Sequence, residues 1–453
     1  MNPFDTICAL STPPGVGAIG VIRMSGPEAI AVCNRFFSGK DLSIAKGYTL
    51  HFGSIQDGDV TLDEVLVSLF KAPQSYTGED SVEVSCHGSP YILQQVLQLF
   101  TKNGARLAKP GEFTQRAFLN KKMDLSQAEA VADLIAAESS AAHETAMHQM
   151  RGGFSSEIDD LRQKLIHFAS MIELELDFSE EHVEFASRDD LLKLLEEVKR
   201  YIQRLIGSFD YGNAVKNGVP VVIVGKPNAG KSTLLNRLLN EDRALVTDIA
   251  GTTRDSIEDE IVMNGILYRF VDTAGLRETT DTVEALGVAR SLKKLKEAAI
   301  IIYLYDLSTE SAQQADEAVE ALKNSIPEGS KLFQVANHVD KLASINRSEL
   351  KDTANKLHIS AKENHGIETL KASLENVVLS GNVNREGSVV TNTRHLQALH
   401  SCDEALNRSI EGLGKQTPGD FLAMDIRQAL YFLAEITGEI TTDDLLDNIF
   451  SKF

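Results

Sequence analysis

A chain of 453 residues with 43% apolar and 24% charged residues has room for about three ordinary domains, which excludes a disordered or fibrous protein. The formal charge of −20 argues against a protein that holds nucleic acid by its own electrostatics, since neutralisation of phosphates by Lys and Arg supplies most non-specific affinity. Cys8, Cys33, Cys86 and Cys402 form no C-x-x-C pair and no run approaches the ~18 apolar residues of a membrane span, so disulfide framework, zinc site and membrane protein are all disfavoured and a reducing cytoplasm fits.

Residues 5–122 mix short β-like runs (6–10, 19–24, 65–70 and 82–86) with an apolar helical stretch at 90–102, separated by Pro13-Pro14-Gly15, Gly78 and Pro110-Gly111. This predicts a modest α+β domain. Within it Cys86 beside His87 could be read as an activated thiol, but in an apolar β-like run a core cysteine is the better expectation. From Met123 the character turns helical. Ser126-Gln127-Ala128-Glu129 reads as a capping box, with Ala128, Val131, Leu134 and Ile135 on one face. Gly152-Gly153 should break that helix, a second should run over 154–177, and a third over 189–206 with Leu191, Leu194, Leu195, Val198 and Ile202 inward.

The apolar run 219–224 is followed by Gly225-Lys226-Pro227-Asn228-Ala229-Gly230-Lys231-Ser232 and a helix-forming stretch beginning at Thr233. A strand, a phosphate-cradling loop and a helix are predicted: backbone N–H groups face the phosphates, Lys231 reaches the β- and γ-phosphates, and Ser232 can ligate Mg²⁺. Gly251-Thr252-Thr253-Arg254-Asp255, Asp272-Thr273-Ala274-Gly275, Asn337-His338-Val339-Asp340 and Ser360-Ala361-Lys362 follow in the order of a GTPase domain. Guanine specificity falls on Asp340, whose carboxylate can accept from both N1–H and the N2 amino group, with Asn337 and Ser360-Ala361-Lys362 bracing the base. His338 stands where a lysine is usual, so weaker packing over the purine is expected.

In many regulatory GTPases a glutamine after the Asp-Thr-Ala-Gly motif positions the attacking water; here that residue is Leu276. Arg277, Glu284, Arg254 and Asp255 are the candidates to compensate. Glu284 is preferred, because a carboxylate accepts a hydrogen bond from water. Asn228, beside the loop Thr247-Asp248-Ile249-Ala250-Gly251-Thr252, can donate an oxygen to a monovalent cation placed where an arginine finger would otherwise act; a loop-capping Asn is the plain alternative. Helical periodicity resumes at Thr393 and continues through 421–436. Helices on both sides of the nucleotide domain predict one bundle with a GTPase inserted in it, although two independent helical domains would read the same.

With these residues in hand the chain resembles the MnmE (TrmE) family of tRNA-modification GTPases over essentially its full length. The resemblance rests on Asp5-Thr6-Ile7, Thr12-Pro13-Pro14-Gly15, Arg23, Thr77-Gly78-Glu79-Asp80, the segment from Pro110-Gly111-Glu112-Phe113-Thr114-Gln115-Arg116 to Asn120, and Ile249 to Asp255. It implies a mixed α/β and α multidomain fold: an N-terminal α+β tetrahydrofolate-binding-like dimerisation domain (1–122), a helical domain in two halves (123–215 and 381–453) and an inserted α/β P-loop GTPase, or G, domain (216–380). It implies a K⁺ site at Asn228, Thr247, Ile249 and Thr252, Mg²⁺ ligands at Ser232 and Thr253, a catalytic Glu284 brought in when two G domains pair, and folate contacts at Arg23, Glu83 and Lys122. It further implies a homodimer that works with MnmG, a flavoprotein carrying the FAD and most of the tRNA contact. Together they would add a carboxymethylaminomethyl or aminomethyl group to C5 of the wobble uridine, using a 5-formyl- or methylene-tetrahydrofolate carbon. Family chains carry a Cys-x-Gly-Lys tail after the Ile449-Phe450-Ser451-Lys452-Phe453 segment, so the tail cysteine is assigned to no residue here. A stand-alone folate-dependent one-carbon transferase and a ribosome-assembly GTPase switch are the competing readings; the helical flanks offer no basic RNA-binding appendage for the latter.

Overall fold

The computed structural model describes residues 5–177, 187–241, 258–271, 295–296, 298–323, 326, 329–342, 350–379, 388–415, 417–441, 446 and 449–451. The chain divides into two compact units, one of Met1–Ala132, Met150–Ile158 and Ala434–Phe453, the other of Asp133–Gln149 and Asp159–Leu433.

The first unit is built on strands β1 (Thr6–Leu10), β2 (Ile19–Ser25), β3 (Phe37–Ser38), β4 (Thr49–Asp57), β5 (Val60–Phe70), β6 (Ser81–His87) and β7 (Ala105–Leu107). They pair in the order β3-β4-β5-β6-β2-β1-β7, antiparallel except for β1 with β7. Alternation sorts the side chains: Ile22, Met24, Val65, Val67, Val82 and Val84 face inward. Against them pack α1 (Ala29–Phe36), through Ala29, Ile30 and Cys33, and α2 (Pro90–Lys102), through Leu93, Val96 and Phe100. The opposite face carries Arg23, Glu83 and Ser68 in one cross-strand row and Phe52, Leu66 and Ser85 in the next. Phe52 and Leu66 are 68% and 41% exposed. Cys86 is a core residue as expected, its thiol pushed up to about 12 by burial and then by Asp63, while His87 turns to Asp63 at 2.7 Å.

After α3 (Glu112–Leu119), α4 (Leu125–Ile135) corrects the capping expectation. Asp124 and Gln127 exchange hydrogen bonds of 2.9 Å in both directions, so the box is D-x-x-Q and begins two residues earlier than the Ser126 reading. Ser126 lies inside the helix, buried, with its hydroxyl 3.1 Å from that of Ser155. The buried face is Leu125, Ala128, Glu129 and Ala130, whereas Val131 and Leu134 are half-buried and Ile135 is 80% exposed. Leu125 and Ala128 pack with Leu446 and Phe450, so the end of the chain belongs to this unit.

The second unit holds α5 (Ser140–Met150), α6 (Gly153–Asp177), α7 (Arg188–Gly207) and α8 (Phe209–Asn217), then β8 (Val219–Val224), α9 (Lys231–Glu241), β9 (Glu258–Met263), β10 (Ile266–Val271), β11 (Ile300–Asp306), α10 (Ala312–Lys323), β12 (Lys331–Asn337), β13 (Lys356–His358), α11 (Ile367–Leu379), α12 (Thr393–Gly414) and α13 (Gly419–Thr437). The single helix expected to run to Gly152-Gly153 is broken earlier, at 136–139, so that α5 is a separate helix ending before Gly152 and Gly153 opens α6; α7 buries Leu191, Leu195, Val198 and Ile202 with Leu194 half-buried, close to the pattern read from sequence. The sheet runs β13-β12-β11-β8-β10-β9, parallel but for β9. Helix α12, which follows the nucleotide domain, packs along α7, which precedes it, and Arg427 of α13 meets Glu173 of α6 at 2.7 Å. The chain enters the sheet from α8 and leaves through 388–391, and these crossings are stitched together: Val390 N donates to Ser208 Oγ at 3.0 Å and Gln149 Nε2 to the Val389 carbonyl at 3.1 Å. One helical bundle with an inserted α/β domain accounts for this, and two independent helical domains do not. None of the described helices is long and apolar enough to cross a membrane.

Candidate functional site

The strand β8 is central in its sheet and apolar, so its end delivers the following loop to the carboxyl edge where open α/β sheets bind ligands. Two glycines make the turn possible. Gly225 has φ 153° and a Cβ there would strike the Leu304 carbonyl; Gly230 has φ 95° and a Cβ would strike Asn337 Nδ2. Ala229 is buried, Asn228 is exposed with φ 65°, and Ser232 and Thr233 are exposed in the first turn of α9. Lys231 Nζ donates to the carbonyls of Gly225 at 2.7 Å and Lys226 at 2.8 Å, inside the curve of the loop, and burial holds its pKa below the ordinary lysine value. The Lys226 ammonium lies 3.2 Å from Glu310, which also accepts from Tyr303 OH at 2.8 Å.

The segments 337–340 and 360–362 meet this loop at one side chain. Asn337, 1% exposed at the end of β12, donates from Nδ2 to the Ala229 carbonyl at 2.9 Å and accepts at Oδ1 from Ala361 N at 3.1 Å. Val339 N donates to the Ile359 carbonyl at 3.2 Å, and Ser360 Oγ donates to Asp340 Oδ1 at 2.6 Å. That hydrogen bond, more than the opposing burial, keeps the Asp340 carboxyl below its usual range, so it is an anion able to accept two N–H groups. His338 takes a left-handed φ of 66°, and its Nδ1 lies 2.7 Å from Asp306 Oδ2. Burial alone would raise the Asp306 carboxyl, but the Ser308 hydroxyl and amide, Lys341 and His338 reverse this and hold it well below the carboxylate range. Lys362 is exposed beside buried Ala361.

Sequence reasoning missed Arg237 and Asp306. Arg237, in the second turn of α9, donates from Nε to the Ala361 carbonyl at 3.1 Å and from a terminal nitrogen to that of Lys362 at 2.7 Å. No local pattern signals a contact across 124 residues. For Asp306 a signal existed, because it is the one acid ending the otherwise uncharged run of β11.

In the first unit, Arg23 and Glu83 are joined: Nε donates to Oε1 at 2.9 Å, with the guanidinium 5.2 Å from the centre of the Tyr76 ring and 5.6 Å from that of Phe113. Lys122 Nζ donates to the Pro73 carbonyl at 3.1 Å, on the loop that carries Tyr76. Arg116, 7% exposed, ties the surrounding motifs together, donating to Asp5 Oδ1 at 2.5 Å, Glu79 Oε1 at 3.2 Å and Glu112 Oε1 at 3.2 Å. Thr247, Asp248, Ile249, Ala250, Gly251, Thr252, Thr253, Arg254, Asp255, Asp272, Thr273, Ala274, Gly275, Arg277 and Glu284 lie outside the described residues.

The sequence profile of the MnmE helical domain matches residues 125–453, and that of the N-terminus of the GTP-binding protein TrmE matches residues 6–122. The tRNA modification GTPase MnmE of Cytophaga hutchinsonii is 54% identical over 100% of this chain and 98% of its own length. The chain belongs to the MnmE family. The MnmE of Bacteroides thetaiotaomicron is likewise 54% identical, over 99% of this chain and 98% of that one. Among solved structures, the G domain of the FeoB iron transporter of T. maritima matches with a TM-score of 0.25 and 20% identity over 35% of this chain and 98% of that chain, a likeness too distant to carry an argument. Within the MnmE family, the clasp at Asn337 and the carboxylate of Asp340 belong to a GTP-binding G domain, and the Arg23–Glu83 pair to the N-terminal domain.

Proposed function

We propose that this chain hydrolyses GTP to drive a conformational cycle in the modification of C5 of the wobble uridine of certain tRNAs, acting as a cytoplasmic homodimer with the flavoprotein MnmG. The observation that carries the nucleotide reading is Asn337, one amide holding both the phosphate loop and the base-reading loop. In this reading the domains are 1–122, 123–215, 216–380 and 381–453.

Lys231 and the backbone N–H groups at the head of α9 receive the phosphates, and Asp340 reads the base. The donor set fits Mg²⁺, since Ser232 presents an exposed hydroxyl in the first turn of α9; it would be joined by Thr253. Asn228, exposed and in a left-handed turn, offers an amide oxygen to K⁺, with Thr247, Ile249 and Thr252 completing the set. These cations supply neutralisation of charge developing between the phosphates. Glu284 orients the attacking water when two G domains pair, with Arg254, Asp255 and Arg277 nearby in the sequence.

The Arg23–Glu83 pair beside the rings of Tyr76 and Phe113 fits the heterocycle end of a tetrahydrofolate derivative: the rings suit a flat heterocycle and the carboxylate, oriented by Arg23, its amino group, while Lys122 suits the glutamate tail. A 5-formyl- or methylene-tetrahydrofolate held by these residues would supply the carbon for the C5 substituent, with FAD only in the partner. The exposed face carrying Leu50, Phe52 and Leu66 supports self-association through the first unit. The acidic balance of the chain favours a partner that holds most of the tRNA.

The test is nucleoside mass spectrometry of bulk tRNA from cells lacking the gene, complemented with this chain or with Lys231→Ala. Loss of the C5-modified wobble uridine that only the unaltered chain restores is the expected result. Unchanged tRNA in the deletion strain would favour a GTPase switch with another target.

A further inference from the structure

The segment that orients Asp340 is held on its Ser360 side by a bridge of its own, Ser360 N donating to the His365 carbonyl at 2.9 Å and His365 N to the Ser360 carbonyl at 3.1 Å. Residues Ser360–Lys362 leave the sheet after β13 and present Ser360 to Asp340 at 2.6 Å; Ser360 is held by His365 and Ala361 N by Asn337, while the carbonyls of Ala361 and Lys362 point toward α9. A further fixed point comes from α9, the helix that begins with Lys231. Arg237, half-buried on that helix, points its fork at two successive carbonyls, Ala361 at 3.1 Å and Lys362 at 2.7 Å. A guanidinium suits this task because its donors are planar and fixed, so two bonds to one peptide turn determine both position and tilt.

We infer that Arg237 is a positioning residue for guanine specificity, setting the angle at which Asp340 meets the base by fixing the carbonyls of Ala361 and Lys362 to the phosphate-loop helix. The inference deepens the GTP-binding reading and rests on it. The physical argument concerns which contact is sensitive to angle. A carboxylate that meets N1–H alone tolerates rotation, but one that meets N1–H and the N2 amino group together does not. Asp340 is oriented by Ser360, and Ser360 is one residue from the first carbonyl Arg237 holds. Loss of the brace therefore weakens the N2 contact more than the N1 contact. Inosine nucleotides lack the N2 amino group, so they lose little.

The experiment uses the full chain and competition binding with GTP, ITP and ATP against a fluorescent GDP. Unaltered protein should prefer GTP over ITP and exclude ATP. Arg237→Met, which keeps the apolar stem packed on α9, should weaken GTP about tenfold while ITP changes by no more than about twofold, so the GTP/ITP ratio collapses. Arg237→Lys, which restores one donor, should fall between. Equal losses for GTP and ITP in Arg237→Met would reduce Arg237 to a structural support of the fold and overturn the inference, as would an unchanged ratio. A shared thermal midpoint for the three proteins checks that the fold is intact. If the unaltered protein fails to discriminate GTP from ITP and ATP, the guanine reading itself has failed, which no Arg237 variant can mimic.

Discussion

Asn337 Nδ2 lies 2.9 Å from the Ala229 carbonyl, so a residue assigned to the base also closes the phosphate loop. Both partners are buried. Asn337→Ala removes this bond and the one from Ala361 N, leaving a buried carbonyl and a buried N–H unmatched at about 1–3 kcal/mol each. The expected outcome is a loss of GTP affinity by about tenfold or more together with a lower melting temperature, read by calorimetric titration and thermal unfolding. Asn337→Asp keeps the acceptor for Ala361 N but sets a carboxylate against the Ala229 carbonyl, and should rescue neither.

How much of this was legible in the sequence depended on range. Strand β1 and helix α2 fall on 6–10 and 90–102 as read, because each carries its own periodicity and its own punctuation. Strand β4 escaped because its apolar residues lie on both faces, Leu50 and Phe52 outward and Ile55 inward, so they carry no single period-2 apolar pattern. In the site, Lys231, Asp340 and Asn337 announced themselves by motif. Arg237 did not, since a long side chain reaching a distant carbonyl leaves no local trace. The motifs Thr77-Gly78-Glu79-Asp80 and Glu112 to Arg116 were legible as a family mark, but their shared ion network exists only because folding brings Asp5, Glu79 and Arg116 together.

That network has a pH signature. Burial raises the Glu112 carboxyl, but hydrogen bonds from Arg106, Lys109 N and Arg116 overcome it; at Asp5 burial is likewise overcome by Arg106 and Arg116, and both carboxyls sit below their ordinary values. A depressed folded pKa contributes stability that is present above the unfolded pKa, about 4, and is lost as pH falls through the folded value. Urea midpoints of the full chain should hold steady from about pH 7 to 5 and decline below about pH 4. Arg116→Ala leaves buried Glu112 short of one cation and should cost about 3–5 kcal/mol at neutral pH, with a shallower decline in acid.

Phe52 stands 68% exposed on the strand beside Leu66, an apolar pair open on a sheet face whose other side is packed by α1 and α2. Phe52→Glu places a charge in that row without touching the core. If this face joins two copies, sedimentation should show the unaltered chain as a dimer and Phe52→Glu as a folded monomer. A dimer that persists unchanged at micromolar concentration moves the interface elsewhere.

Leu276 cannot orient water, so hydrolysis must draw on another group and on charge neutralisation that no arginine finger in the phosphate loop supplies. The proposed division of labour gives the water to Glu284 and the charge to K⁺ beside Asn228. These separate experimentally. GTP hydrolysis should be at least about tenfold faster in KCl than in NaCl at equal ionic strength, and Asn228→Ala should erase that difference while leaving the basal rate in NaCl. Glu284→Ala should abolish hydrolysis in either salt and leave GTP affinity intact, because a water-orienting carboxylate acts in the transition state and not on the bound nucleotide. Equal rates in the two salts would remove K⁺ from the mechanism, and a fully active Glu284→Ala would return Arg254, Asp255 and Arg277 to contention.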